Sequence, residues 1–114
     1  MKNPDLLPLW QCLKQMLQKY EPFMRVTIDE HGYYRLYTPT RRPFIAVAIQ
    51  KKHVGIYSMP LYDAPHLGGV LGERRIGKSC IGFRTEDDPL LVEVPAYFER
   101  CFQHCLINDQ VPMH

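Results

Sequence analysis

The pattern of apolar residues predicts an α+β two-layer sandwich. Helix-period stripes mark both ends of the chain, period-two segments fill the middle, and the connections between successive segments are short. Sequential strands joined by short turns favour an antiparallel sheet. Helices at the two ends can then cover one of its faces. The expected architecture is an antiparallel sheet of about five strands, with N- and C-terminal helices packed on one face. At 114 residues the chain makes a single domain, 1–114.

The first segment is helical, because Leu6, Trp10, Leu13, Leu17 and Tyr20 recur at helical spacing with Gln11, Gln15 and Gln18 opposite. Pro4 and Pro8 fit only at or before its first turn. Pro22 disfavours helical geometry at Glu21, so the helix ends near Tyr20. Met24, Val26 and Ile28 then alternate with Arg25, Thr27 and Asp29 as a strand. Glu30-His31-Gly32 reads as a hairpin connection, with Gly32 free to take positive φ. A tyrosine-rich strand runs to Tyr37, and Thr38 to Pro43 is a basic turn. Phe44 to Ile49 is a continuous apolar run of strand length, which predicts a central strand covered on both faces.

Gln50-Lys51-Lys52 turns the chain into a fourth strand from His53 to Ser58. Between Pro60 and Ile76, Leu61, Leu67, Val70 and Leu71 suit a short helix that Gly68-Gly69 weakens. Ser79 to Arg84 is a short last strand. Phe98, Cys101, Phe102, Cys105 and Leu106 fall at i, i+3, i+4, i+7 and i+8, an amphipathic helix with Pro95 as its first residue.

With 46% hydrophobic and 23% charged residues, the chain is globular in composition and not disordered. No apolar run approaches the roughly 20 residues needed to span a bilayer. One Lys, two prolines and an Asp precede any apolar run, so the N-terminus does not read as a signal peptide, and a cytoplasmic setting is expected. There Cys12, Cys80, Cys101 and Cys105 would be reduced thiols.

Charge is distributed unevenly. Arg35 to Arg84 holds nine Lys/Arg against two acids, whereas the remainder holds five bases and ten acids. A net charge of only +2 thus conceals a basic middle between acidic ends, which bears on partners and not on fold.

Within that middle, FIAVAIQKKHVGIYSMPLY, a variable stretch from Asp63 to Ile76 and GKSCIGF together resemble the YdhG-like domain family. Lys51, Lys52, His53, Tyr57, Met59 and Pro60 match the family pattern, as do Tyr62, Gly77, Lys78, Ser79 and Phe83. The resemblance covers about half the chain. Many relatives carry a Trp-x-x-Pro element after the first helix. Here only Thr38-Pro39 stands near that place, and the single tryptophan is Trp10. The resemblance implies helices on an antiparallel sheet. It implies no activity, since most members have none assigned, although some are described as frataxin-like iron-handling proteins.

Several constellations bear on function. Gly72, Gly77, Lys78 and Ser79 have the spacing of a phosphate-binding loop, but such a loop follows a buried strand and opens a helix, whereas here a strand follows. The weaker reading is that Arg74, Arg75 and Lys78, with glycine amides, hold an anion. Cys101, His104 and Cys105 lie on one turn of the last helix, and Cys12 would lie close if the two helices pack together. Such residues can ligate zinc, yet Cys101 and Cys105 fall on the apolar stripe and read as core. No cofactor is expected. Of the histidines, His31 is in a turn and His114 is terminal. His53 begins a strand beside Lys51 and Lys52.

Two alternatives rest on other residues. Glu86-Asp87-Asp88 could serve a frataxin-like iron-binding chaperone, because hard cations take oxygen ligands, or it could be a solvated turn and helix cap. Tyr33, Tyr34 and Tyr37 around Arg35, near Arg41-Arg42, suit a nucleic-acid-binding module. Tyrosine is equally a strand residue, and the pI of about 8.4 is below that of dedicated nucleic-acid domains.

The stronger pointer is the second sheet face. If Val54 and Ile56 face the helices, His53, Gly55 and Tyr57 face away, and the small residues Ala46, Ala48, Cys80 and Gly82 leave room in mid-sheet. Either the Leu61–Leu71 crossover or a ligand fills it. The sequence therefore points to a non-enzymatic module that binds a small anionic ligand or a protein partner through His53, Tyr57, Lys78 and Arg84, with Arg74 and Arg75 near Lys78.

Overall fold

The computed structural model describes residues 2–108 and 110–111. It contains five strands, β1 (Arg25–Glu30), β2 (Tyr33–Tyr37), β3 (Pro43–Ile49), β4 (Val54–Ser58) and β5 (Cys80–Phe83). They form one antiparallel sheet in the order β1-β2-β3-β4-β5. Helix α1 (Leu7–Gln18) precedes the sheet, the short α2 (Met59–Asp63) leaves β4, and α3 (Val94–Ile107) closes the fold. The α+β sandwich with terminal helices is the architecture the periodicity predicts.

One face of the sheet is apolar. Tyr34, Leu36, Ile45, Val47, Ile56 and Ile81 join Leu13, Leu17, Phe98 and Cys101 in a continuous core. Leu6, Trp10, Phe102 and Cys105 are buried there too, so the helical stripes of both termini point inward as expected. The Trp10 indole N–H donates to the Val47 carbonyl at 2.8 Å, pinning α1 to the central strand. Tyr20 joins the two helices. Its ring lies 5.1 Å from Phe102, and its hydroxyl donates to Glu99 at 2.8 Å.

α1 stops at Gln18, two residues before the expected end, and a 3-10 turn over Glu21–Phe23 carries the chain into β1. The hairpin turn at His31-Gly32 has Gly32 at φ 85°, as the sequence requires. β1 is an exposed edge strand whose pairing shifts register between Val26 and Ile28. Such a bulge protects an edge from pairing with other chains.

The crossover between β4 and β5 is helical in two pieces. α2 is capped by Ser58, whose Oγ accepts from the Leu61 N–H at 3.1 Å. A 3-10 stretch over Pro65–Arg74 follows, broken at Gly69, where φ is 54°. Arg100 of α3 donates to the Leu67 and Gly68 carbonyls at 2.8 and 3.4 Å. The crossover therefore packs on the helical side, with Leu67 and Leu71 buried, and does not fill the space over the other sheet face.

Phe102 is 7% exposed and stacks against both Tyr20 and Phe23. Phe102→Ala is expected to cost about 3–5 kcal/mol in a denaturant unfolding experiment. A loss below about 1 kcal/mol, the range of surface substitutions, would mean that α3 is not part of the core.

Candidate functional site

Strand register builds the outer face of the sheet. Tyr33, Ala48, Gly55 and Gly82 lie in one row across the strands, and Arg35, Ala46, Tyr57 and Cys80 in the next. The small residues meet in the middle, as alternation predicts. Tyr57 lies back along β4 over Gly55, where an added Cβ would come within 2.7 Å of its ring. Ile76 lies over Gly82 in the same way, with its Cδ1 only 2.1 Å from where a Cβ would stand. Both glycines are thus needed for side chains to rest flat on the sheet.

Two grooves result. The first, of about 720 Å³, lies over β2 and β3. Ala46 and Ala48 form its floor, and Tyr33, Tyr37, Tyr57 and Tyr62 stand around it. Arg35 stacks on Tyr37, with its guanidinium carbon 4.8 Å from the ring centre, and its Nε donates to Thr27 at 2.9 Å. The second groove, of about 610 Å³, lies over β4 and β5. Lys2, Lys51, Lys52, His53 and Arg84 line it, together with Tyr57, Ile76 and Cys80. Among the described residues no acid lines it. Nor does any carboxylate among them stand within 4 Å of its Lys and Arg side chains.

The N-terminal segment completes this second groove. Lys2 donates to the Gln50 side-chain carbonyl at 2.7 Å, and Gln50 in turn donates to the Tyr57 hydroxyl at 3.0 Å. Asn3 donates to the Lys51 carbonyl at 3.0 Å. Lys2, Gln50 and Tyr57 line both grooves, so the two share one wall.

The electrostatics follow from this crowding. Burial first, then the charges of Arg84 and Lys2, hold the His53 imidazole below its ordinary value of 6.5. Burial pushes the Tyr57 hydroxyl and the Cys80 thiol up. Neither is therefore negative at neutral pH, and among the described residues none in the groove offsets its cations.

The structure sorts the residues singled out from the sequence. His53, Tyr57 and Arg84 come together at the second groove. Lys78 is exposed and follows Gly77, which forms part of the wall. Arg74 is engaged elsewhere, donating to Asp88 at 2.7 and 3.1 Å. Arg75 donates to the carbonyls of Gly77 and Lys78, which holds the loop and engages its guanidinium there. Counting bases along the chain does not reveal these partners. Lys2, Gln50 and Ile76 also line the groove and carry no signal of it in the sequence. Only the contact of the N-terminal segment with the β3–β4 turn brings Lys2 in, and no local pattern records that contact.

Ser79 is followed directly by β5, so Gly77-Lys78-Ser79 opens a strand and not the helix of a phosphate-binding loop. Cys12 is exposed on α1 while Cys101 and Cys105 are buried, so the three do not converge. Among the described residues, no three His, Cys, Asp or Glu side chains are placed to share a metal ion. Asp88 is a helix cap, accepting from the Leu90 N–H at 2.9 Å, and its carboxyl is held low chiefly by Arg74. His114 lies outside the described residues. No helix is long and apolar enough to cross a membrane, among the described residues. No protein-family model, curated protein or solved structure matches the chain.

Burial pushes the Cys101 thiol up to about 11 and the Cys105 thiol up to about 12. Only thiolates react readily. In the folded, reduced protein a maleimide is expected to label Cys12 at least about 100-fold faster than either helix-α3 thiol. Comparable rates, read by mass spectrometry, would mean that α3 is not seated as described.

Proposed function

We propose that this chain is a non-enzymatic binding module that takes a small anionic ligand in the groove over β4 and β5. The observation that supports the reading is the lining itself, in which Lys2, Lys51, Lys52 and Arg84 accompany His53 with no acid among the described residues. Like charges held together without counter-charges repel one another, and an anion relieves that repulsion. Tyr57 and Gln50 add neutral hydrogen-bonding groups to the wall. The motifs around Lys51-Lys52-His53 and Gly77-Lys78-Ser79 support placing the chain with the YdhG-like domains, and a cytoplasmic setting suits its four free thiols.

Sulfate is the cleanest probe, because its charge does not change near neutrality. Titration followed by backbone amide NMR is expected to shift His53, Gly77 and Arg84. Arg84→Ala should weaken binding by roughly 3- to 10-fold, the weight of an exposed charge contact. Lys19→Ala, on α1, should leave it unchanged. Binding should fall with added salt, since exposed charges are screened over about 8–10 Å. It should also tighten as pH drops from about 7 to about 5, because protonating His53 adds a positive charge. Shifts confined to other surfaces, or an Arg84→Ala protein that binds as before, would remove the basic groove as the site.

A further inference from the structure

We infer that the two grooves act as one site for a phosphorylated aromatic compound of nucleoside monophosphate type. This rests on the anion reading above and extends it to the rest of the ligand. The first groove has the features that hold a flat ring. Its floor is Ala46 and Ala48, each only 7% exposed, whose short side chains leave the groove of about 720 Å³ between the tyrosines where a ring can lodge. Around that floor stand Tyr33, which is exposed, and Tyr37 and Tyr57, which are half-buried. Aromatic side chains stack on any base, because every base has a π-face. Arg35, already stacked on Tyr37, adds a cation to the same side.

The second groove supplies the charge complement. Its lining carries Lys52, His53 and Arg84 and, among the described residues, no acid. The two grooves are side by side, with Tyr57 as the ridge between them. β3 and β5 are two strand spacings apart, about 9–10 Å. Arg84 lies two residues beyond Gly82, which Gly55 joins to Ala48, so its Cα is about 12 Å from that of Ala48, and its side chain lines the groove where an anion can be linked through a sugar to the ring. The Gln50–Tyr57 hydrogen bond lies at that bridge, where it offers a donor and an acceptor to sugar hydroxyls.

The test compares AMP, inorganic phosphate and adenosine by calorimetry and amide NMR. AMP is expected to bind at least about tenfold tighter than phosphate, the contribution of one stacked base. Its shifts should appear at Ala46 and Ala48 as well as at His53 and Arg84. Ala48→Leu, which fills the floor away from the core, should erase the advantage of AMP and leave the phosphate affinity unchanged. AMP binding no tighter than phosphate, with shifts only over β4 and β5, overturns this inference and leaves the anion reading intact. Adenosine binding as tightly as AMP overturns both. A single-stranded hexanucleotide binding more than about 100-fold tighter than AMP makes the face a strand-binding surface, and overturns the small-ligand assignment. If Ala48→Leu fails to fold, the wild-type shift map decides alone.

Discussion

The structure depends on the alternation of large and small side chains along β3. Ile45, Val47 and Ile49 are turned to the helices, while Ala46 and Ala48 are turned away. The inward set packs against α1, and the Trp10 hydrogen bond to Val47 fixes where that helix lies. The outward set cannot support a second core, because methyl groups bury too little area to hold another layer of helices. One strand thus determines which face receives the helices and which is covered only by side chains, and Phe44 to Ile49 is buried on both faces as the apolar run predicts. The pairing of β3 with β2 and β4 extends the choice across the sheet, since register places Tyr33, Gly55 and Gly82 in line with Ala48.

The outer face carries no helix and is covered by side chains alone, which leave Ala46, Ala48 and Cys80 each only 7% exposed. Tyr57 and Ile76 rest on glycines, which lets them lie close without forming a continuous apolar layer. Ile76 remains 55% exposed and Tyr62 54%, so neither is settled as a core residue is. The N-terminal segment reaches the same region through Lys2 and Asn3 and brings a further cation to the rim. Exposed aromatic and apolar groups around a cationic cup are consistent with a surface that is completed by a ligand.

The elements read from periodicity were legible because each buries a face with its own repeat. The stripe Phe98, Cys101, Phe102, Cys105 could belong only to a helix, and the run Phe44 to Ile49 only to an inner strand. The grouping of small residues on the outer face was legible for the same reason, from Ala46, Ala48, Gly55 and Gly82. What was not legible were contacts between residues far apart in sequence. Arg74 reads as a free base until Asp88 stands beside it, fourteen residues on. Lys2 reads as a terminal charge until Gln50 meets it across forty-eight. Cys12, taken with Cys101 and Cys105 as a conceivable trio, lies on the exposed side of α1, because the stripe of Leu9, Leu13 and Leu17 fixes the helix rotation.

The central claim is that the groove at His53 is a preformed cup for an anion. The titration of His53 itself, followed by NMR of its imidazole, tests this most directly. In the free protein burial and the neighbouring Arg84 and Lys2 hold its pKa below 6.5. An anion bound beside it must favour the protonated ring, so the midpoint should rise when sulfate is saturating. A midpoint below 6.5 that moves upward with sulfate is the predicted result. A midpoint that sulfate leaves in place, under conditions where the anion is bound elsewhere on the protein, would contradict the account.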